Sequence, residues 1–498
     1  MPILTPHRVR DLKRNHGETT AMSTNRTLIA AFATLGLVTP AAIAAPENTT
    51  ADAVVGQADF TSNQANQGNA NGTAASLSGV RGLIVDPDSG RLFVADSGNN
   101  RVMSWPDAAA FMDGDDADLV FGQADFTGID ANRGGANPAN NTLADPRSAA
   151  VDSAGRLFIA DSGNKRILRF DPPFTNGMAA VQVFGQAGDF TTANQANSMN
   201  VDADNVGNPD GIAIDGNDNL ILADRFLHRV VIYNDPVNTD TTADIAIGQA
   251  DLTSAERNQN DVNPVPGQNT LNNPIGVGVD ADGNLYVADE ANNRVLLFKA
   301  PLTTNMNATN VYGQPNFTTD TPGTSETLMN GPVYTAVDPV SGNLYVADAI
   351  NHRVLEFEDP QTDILADRVF GQGDDFTTGT LNKGGVSADS LNDVAGVAVD
   401  ADGNLYAGDR FNNRVLRFDI APPDPGNGNS NDNGNANAND NGNTNANAND
   451  NGGDNGNDNS GGDNETGAPC GDCGAGMTMV MPMMLVGLAR RRRRSRRR

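Results

Sequence analysis

Six aspartates, Asp96, Asp161, Asp224, Asp289, Asp348 and Asp409, each stand five residues before an arginine: Arg101, Arg166, Arg229, Arg294, Arg353 and Arg414. A carboxylate and a guanidinium so spaced can hold a proton, a metal or an anionic substrate, or can neutralise each other while satisfying backbone groups. Repetition decides between these. A reaction needs one site, whereas six copies at intervals of 65, 63, 65, 59 and 61 residues mark part of a framework. The pairs are therefore expected to brace turns, with Asp accepting backbone N–H bonds and Arg bridging towards the neighbouring unit.

The other candidates are the places where the sixfold pattern breaks. His228 and His352 occupy the slot before the repeated arginine, where other units carry Asn or Lys, so they read as turn substitutions; with no third histidine beside them, a three-histidine zinc site cannot be built. The acids of the two "DADG" stretches, at Asp280 and Asp400, sit where a hairpin turn belongs and lack the spacing of a calcium loop. Just before the first strand of each unit the chain carries Arg81, Arg147, Asp210, Ile275, Val333 and Ala395. Half of that set is charged and half apolar. Arg81, Arg147 and Asp210 are thus the candidate binding residues, able to orient a ligand through an anionic group. No catalytic residue and no cofactor is expected, with Ca2+ or Zn2+ on carboxylates as the alternative.

The elements that position these residues follow from the repeat. Each unit reads as four strands: a run such as "GVGVD", a Gly/Asp turn, "LYVAD", a second turn, "RVLLF", a variable loop, and a closing strand with "GQ", as in "VYGQPNF". The strands are apolar on both faces, as expected when each small sheet is covered on both sides by others. That is the packing of radially stacked blades. Six inner triplets and six GQ strands are present, but offset by one. "VVGQADFT" (Val54 to Thr61) precedes the first triplet, and nothing with GQ follows the last, Gly396 to Phe418. The first copy is expected to supply the last blade's missing outer strand, giving an all-β, closed six-bladed propeller without an unpaired edge. The long Asn-rich connections and the turns between second and third strands should crowd one rim, the default binding face.

The phrase "GVAVD…GNLYVAD…NNRVLxF" resembles the NHL repeat over essentially Val54 to Phe418. That resemblance implies a six-bladed scaffold that binds proteins, carbohydrates or other ligands. It also implies a runner-up function, a metal-dependent lyase or lactonase-type hydrolase, because some such relatives hold zinc through channel histidines or a divalent ion through carboxylates. The fold does not select among them.

Charge and the termini set the compartment. The 498-residue chain carries −29. Between Pro46 and Asp419 there are 51 acidic and 20 basic side chains, so nucleic acid is an unfavourable partner. Residues 1–45 read as an export signal whose true start is Met22: Arg26, then an apolar run from Leu28 to Val38, then Ala42, Ala44 and Ala45 for cleavage. The propeller is assigned to 46–419. Residues 420–468, almost only Asn, Asp and Gly with some Ala and Ser, read as a disordered spacer unable to bury a core. Residues 469–498 carry Cys470 and Cys473, an apolar run from Met477 to Ala489 too short to span a bilayer, and eight arginines. This layout resembles the Cys-containing tripartite sorting signals of myxobacterial type, with Cys470 or Cys473 implied as the processing or anchoring site; a retained tail anchor is the alternative. The expectation is an exported monomer in the cell envelope, at the surface or released. It would meet an extracellular protein or carbohydrate ligand and a C-terminal processing enzyme, touching membrane only through its C-terminal segment.

Overall fold

The computed structural model describes residues 48–420, Ser198 excepted. The signal, the spacer and the sorting segment with Cys470 and Cys473 lie outside these residues. The described chain forms six four-stranded antiparallel sheets, five of them meanders of consecutive strands and the sixth completed by the chain's first strand. Their inner strands are Val80–Val85, Pro146–Val151, Pro209–Ile214, Pro274–Val279, Pro332–Val337 and Val394–Val399, and each inner strand packs beside the next around the axis.

The ring closes as the repeat offset implies. Ala53–Val55 pairs antiparallel with Arg414–Phe418, in the register Ala53 with Arg417, Val54 with Leu416 and Val55 with Val415. Val54 joins the apolar cluster shared by blades 5 and 6, while Ala53 and Val55 join the one between blades 6 and 1. A three-residue strand thus buries both faces, because it lies where two blades meet. The strand is shorter than the Val54–Thr61 phrase. Gly56 turns the backbone to φ +89°, and the rest of the phrase is a turn in which Gln57 Nε2 donates to the carbonyls of Gln64 and Asn413. The glutamine amide supplies what a continued ladder would, so "GQ" marks the end of the outer strand.

The core is distributed between blades, which explains strands apolar on both faces. Near the axis some inner strands approach so closely at their third residue that only glycine fits: a Cβ on Gly276 would lie 2.4 Å from the Val333 carbonyl oxygen, and one on Gly396 2.4 Å from that of Arg81.

Candidate functional site

Within each blade the Asp-to-Arg spacing spans a tight turn, Ser97–Asn99 in blade 1, followed by Asn100, which is left-handed at φ +53°. Asp96 Oδ1 accepts the Ser78 N–H at 2.6 Å; Oδ2 accepts Asn99 Nδ2 at 2.7 Å and Arg101 Nε at 2.6 Å. Arg101 Nη2 donates to the carbonyls of Thr73 and Ser76, and Nη1 to that of Phe126. Asp96 and Arg101 are fully buried. Burial pushes the Asp96 carboxyl upwards, opposed by Arg101 and these donors. The same brace recurs at Asp161–Arg166, Asp289–Arg294, Asp348–Arg353 and Asp409–Arg414, at 2.7 to 2.8 Å. The expected backbone bonds to Asp are present. The arginine partner differs from expectation: it ties the incoming and outgoing connections of its own blade instead of a neighbouring one, since its planar fork points along the rim at two loop carbonyl clusters.

Blade 3 varies the device. Leu227 stands where blade 1 has Asn99, Ala196 where it has Asn66, and the Arg229–Asp224 pair opens to 3.6 Å. In blades 1, 2, 4 and 6 two asparagines bond each other, as Asn66 and Asn99 do at 2.7 to 3.0 Å, and in blade 5 Asn351 bonds Thr324 Oγ1 and the Gly323 carbonyl instead. In blade 3 both are apolar and pack with Val201 and Ala255.

His228 and His352 are latches. The residue before each repeated arginine is left-handed. In three blades it is an asparagine that presents an acceptor to the next blade's entry: Asn100 Oδ1 to Asp145 N–H, Asn293 Oδ1 to Gly331 N–H and Asn413 Oδ1 to Gly79 N–H, while in blade 2 Lys165 Nζ instead donates to Asn208 Oδ1. His228 Nδ1 accepts the Asn273 N–H at 3.0 Å and His352 Nδ1 the Asp393 N–H at 2.9 Å. The imidazoles must be neutral for this. Burial lowers both pKa values, that of His228 to about 4. The lone pair a metal would use is already occupied at Nδ1.

At the channel mouth, Arg81, Arg147 and Asp210 are second residues of their inner strands, one position inside where the sequence places them. The bulge that follows, seen as a register shift after Val80, Pro146 and Pro209, lets pairing with the next strand start early. Arg147 and Asp210 come together. Arg147 Nη2 lies 2.7 Å from Asp145 Oδ2, and Nη1 lies 3.4 Å from Asp210 Oδ2. The third member is one the sequence reading missed: Tyr334, from the opposite side of the ring, has its hydroxyl 3.0 Å from Asp210 Oδ1 and 2.9 Å from the Arg147 carbonyl. Its signal was the break at the close-approach position, where other blades carry Gly82, Ser148, Gly211, Gly276 and Gly396. Tyr334 also lines one end of a channel cavity of about 230 Å³, with Leu83, Ala149, Ile212, Val277 and Val397 around the wall. The ring of charge and the apolar channel are therefore separated by one phenol. Arg81 enters none of these bonds.

Around the mouth, the middle residue of each brace turn is exposed, or half-buried in the case of Ala291. It is Gly98, Gly163 and Ala291 in three blades but Phe226, Ile350 and Phe411 in the others, 49, 54 and 55% exposed. Arg410 lies over the Phe411 ring at 4.7 Å and pairs with Asp393 at 2.8 Å. Among the described residues no three His, Cys, Asp or Glu side chains gather in a metal-holding group.

The Teneurin NHL domain family model matches residues 83–320, which together with the six-bladed ring supports the NHL type of propeller. The peptidyl-glycine alpha-amidating monooxygenase B of Xenopus laevis is 30% identical over 165 residues, 30% of this chain, and the chain spans only 17% of that protein's length. A structural genomics protein of unknown function from Bacteroides thetaiotaomicron is 14% identical, with 73% of this chain and 74% of that one covered and a TM-score of 0.46. A gluconolactonase from Xanthomonas campestris is 14% identical, with 75% and 99% covered and a TM-score of 0.42. A virginiamycin B lyase from Staphylococcus aureus is 12% identical, with 70% and 96% covered and a TM-score of 0.39. Such values carry no inference about ligand or chemistry.

Proposed function

We propose that this ring is a binding scaffold, exported and tethered to the cell envelope, whose loop-bearing rim holds an extracellular protein or glycan. The observation that supports it is the exposed trio Phe226, Ile350 and Phe411. The flanking turn residues are fixed for structure, so apolar side chains placed in water at the one free position of three blades serve contact with something else. Aromatic and aliphatic anchors beside Arg410 and Arg225 suit both a sugar face and a peptide. The tether, read from residues 420–498, would keep the ring at the envelope.

The test is binding of the full chain to glycan and peptide arrays, repeated with Phe226→Ser, Ile350→Ser and Phe411→Ser combined. A partner lost at least tenfold by the triple variant, at unchanged melting temperature, is expected. Partners bound equally by both proteins would sink the reading. Envelope fractionation of cells making Cys470→Ala/Cys473→Ala checks the tether, with release into the medium expected. Elemental analysis of the purified chain addresses the lyase or lactonase alternative, which would require about one metal ion per chain.

A further inference from the structure

Every arginine of the described residues other than Arg81 hydrogen-bonds or ion-pairs with a protein group. Arg81 does neither among those residues, although the ring around it carries an excess of carboxylates. Its side chain is half-buried at the channel mouth. Burial, with the charges of Arg147 and Arg410, lowers its pKa from the ordinary arginine value, and Asp210 only partly offsets this. Yet a guanidinium stays protonated in proteins, so the fold holds a partly desolvated cation with all its donors unspent.

The two neighbouring arginines cannot share a ligand on equal terms. Arg147 is engaged by Asp145 and Asp210, and Arg410 by Asp393. Asp210 is in turn held by the Tyr334 hydroxyl. What remains for an incoming anion is one planar fork. A single carboxylate matches that fork through two parallel N–H···O bonds. A phosphate or sulfate dianion would add charge beside Asp145, Asp210 and Asp393, with one free cation to meet it.

The other half of the mouth selects the rest of the ligand. Ile275, Val333 and Ala395 hold the corresponding positions of blades 4, 5 and 6. Ile350, 54% exposed, stands over Gly331 at the entrance to blade 5. We propose that the channel mouth is a binding site for a small amphipathic monocarboxylate, its carboxylate on Arg81 and its apolar body over Val333 and Ile350. The proposal is separate from the macromolecular reading of the rim: a ring that binds glycan or peptide but no small carboxylate fails this inference alone.

The experiment is calorimetric titration of the full chain with octanoate, acetate, octanol and inorganic phosphate, on the wild type, Arg81→Met and Arg81→Lys. Octanoate is expected to bind at least tenfold more tightly than acetate, octanol or phosphate. Arg81→Met should weaken octanoate at least tenfold while melting no lower than the wild type, since it removes a cation facing two others. Arg81→Lys keeps the charge without the fork and should fall between. Absence of octanoate binding to the wild type, octanol or phosphate binding as tightly as octanoate, or unchanged octanoate affinity in Arg81→Met would each overturn the proposal. Should Arg81→Met fold poorly, the wild-type ligand ranking and Arg81→Lys decide it.

Discussion

At the residue scale the repeated chemistry is structural, and each deviation from it shows what the repeat is for. His228 replaces an asparagine acceptor with an imidazole acceptor and thereby gains a proton equilibrium the asparagine latches lack. Burial holds its pKa at about 4 against 6.5 in the unfolded chain, so the neutral form is favoured by folding. A depressed folded value gives stability that is complete above about pH 6.5 and is lost as pH falls towards 4. The expected loss is about 3 kcal/mol from this residue between pH 7 and pH 4. Urea melts at the two pH values should show it, and His228→Asn should shrink it while keeping the bond to Asn273 N–H; an unchanged acid sensitivity in His228→Asn would exclude the latch as its source. The asparagine pair makes a second prediction. Asn66→Ala leaves the buried Asn99 amide half-satisfied and should cost about 1–3 kcal/mol. Asn66→Ala with Asn99→Leu reproduces blade 3 and should cost less than the sum of the single changes by about 1 kcal/mol, read as a coupling in a double-mutant cycle. The six Asp–Arg braces were legible in the sequence because repetition separates framework from site. Their loop carbonyl partners were not, since carbonyls leave no mark on residue type.

At the element scale the offset between six triplets and six GQ strands contained the topology. Counting was enough to pair the first strand with the last blade, because an unpaired outer strand and an unpaired blade edge each leave backbone groups without partners. Its length was not legible. Gly56 could as well have stood in a longer strand, and only the Gln57 amide, bonded across to Asn413, shows that the ladder stops at Val55. The closing strand also receives bonds from outside its sheet: Val54 N–H donates to Asp113 Oδ1, and Asp419 N–H to Asp52 Oδ2. Val54 has no exposed surface and lies in the seam between blades 5 and 6. Val54→Asp should therefore destabilise the ring by about 3 kcal/mol or more, by burying an unpaired carboxylate. Deleting Val54 to Thr61 should do so more severely and expose both edges of the seam to proteolysis. Unchanged melting in the deletion would mean that the ring does not depend on its closure.

At the scale of the whole molecule, the inner strands make a channel only as wide as their third residues permit, and five of the six are Gly or Ser. Tyr334 is the sixth. Its ring, 6% exposed, crosses from blade 5 to reach Asp210 and Arg147 on the far side. One side chain thus does two jobs: it ties opposite sides of the ring, and it separates the charged mouth from the apolar channel cavity. In the sequence Val333 stands out as a mouth position and Tyr334 does not, because an aromatic inside a strand is ordinarily core. Two substitutions separate the jobs. Tyr334→Phe keeps the plug and removes the hydroxyl, leaving Asp210 with Arg147 alone; it should cost about 1–2 kcal/mol in urea unfolding, with channel access unchanged. Tyr334→Gly restores the residue found in four blades and removes the plug, so the cavity should open to the mouth at a cost of about 3–5 kcal/mol. An environment-sensitive apolar dye should report the difference, entering Tyr334→Gly and not Tyr334→Phe. Equal dye uptake by the two variants would mean that the ring body is not what closes the channel, and would leave the hydroxyl network as the sole function of Tyr334.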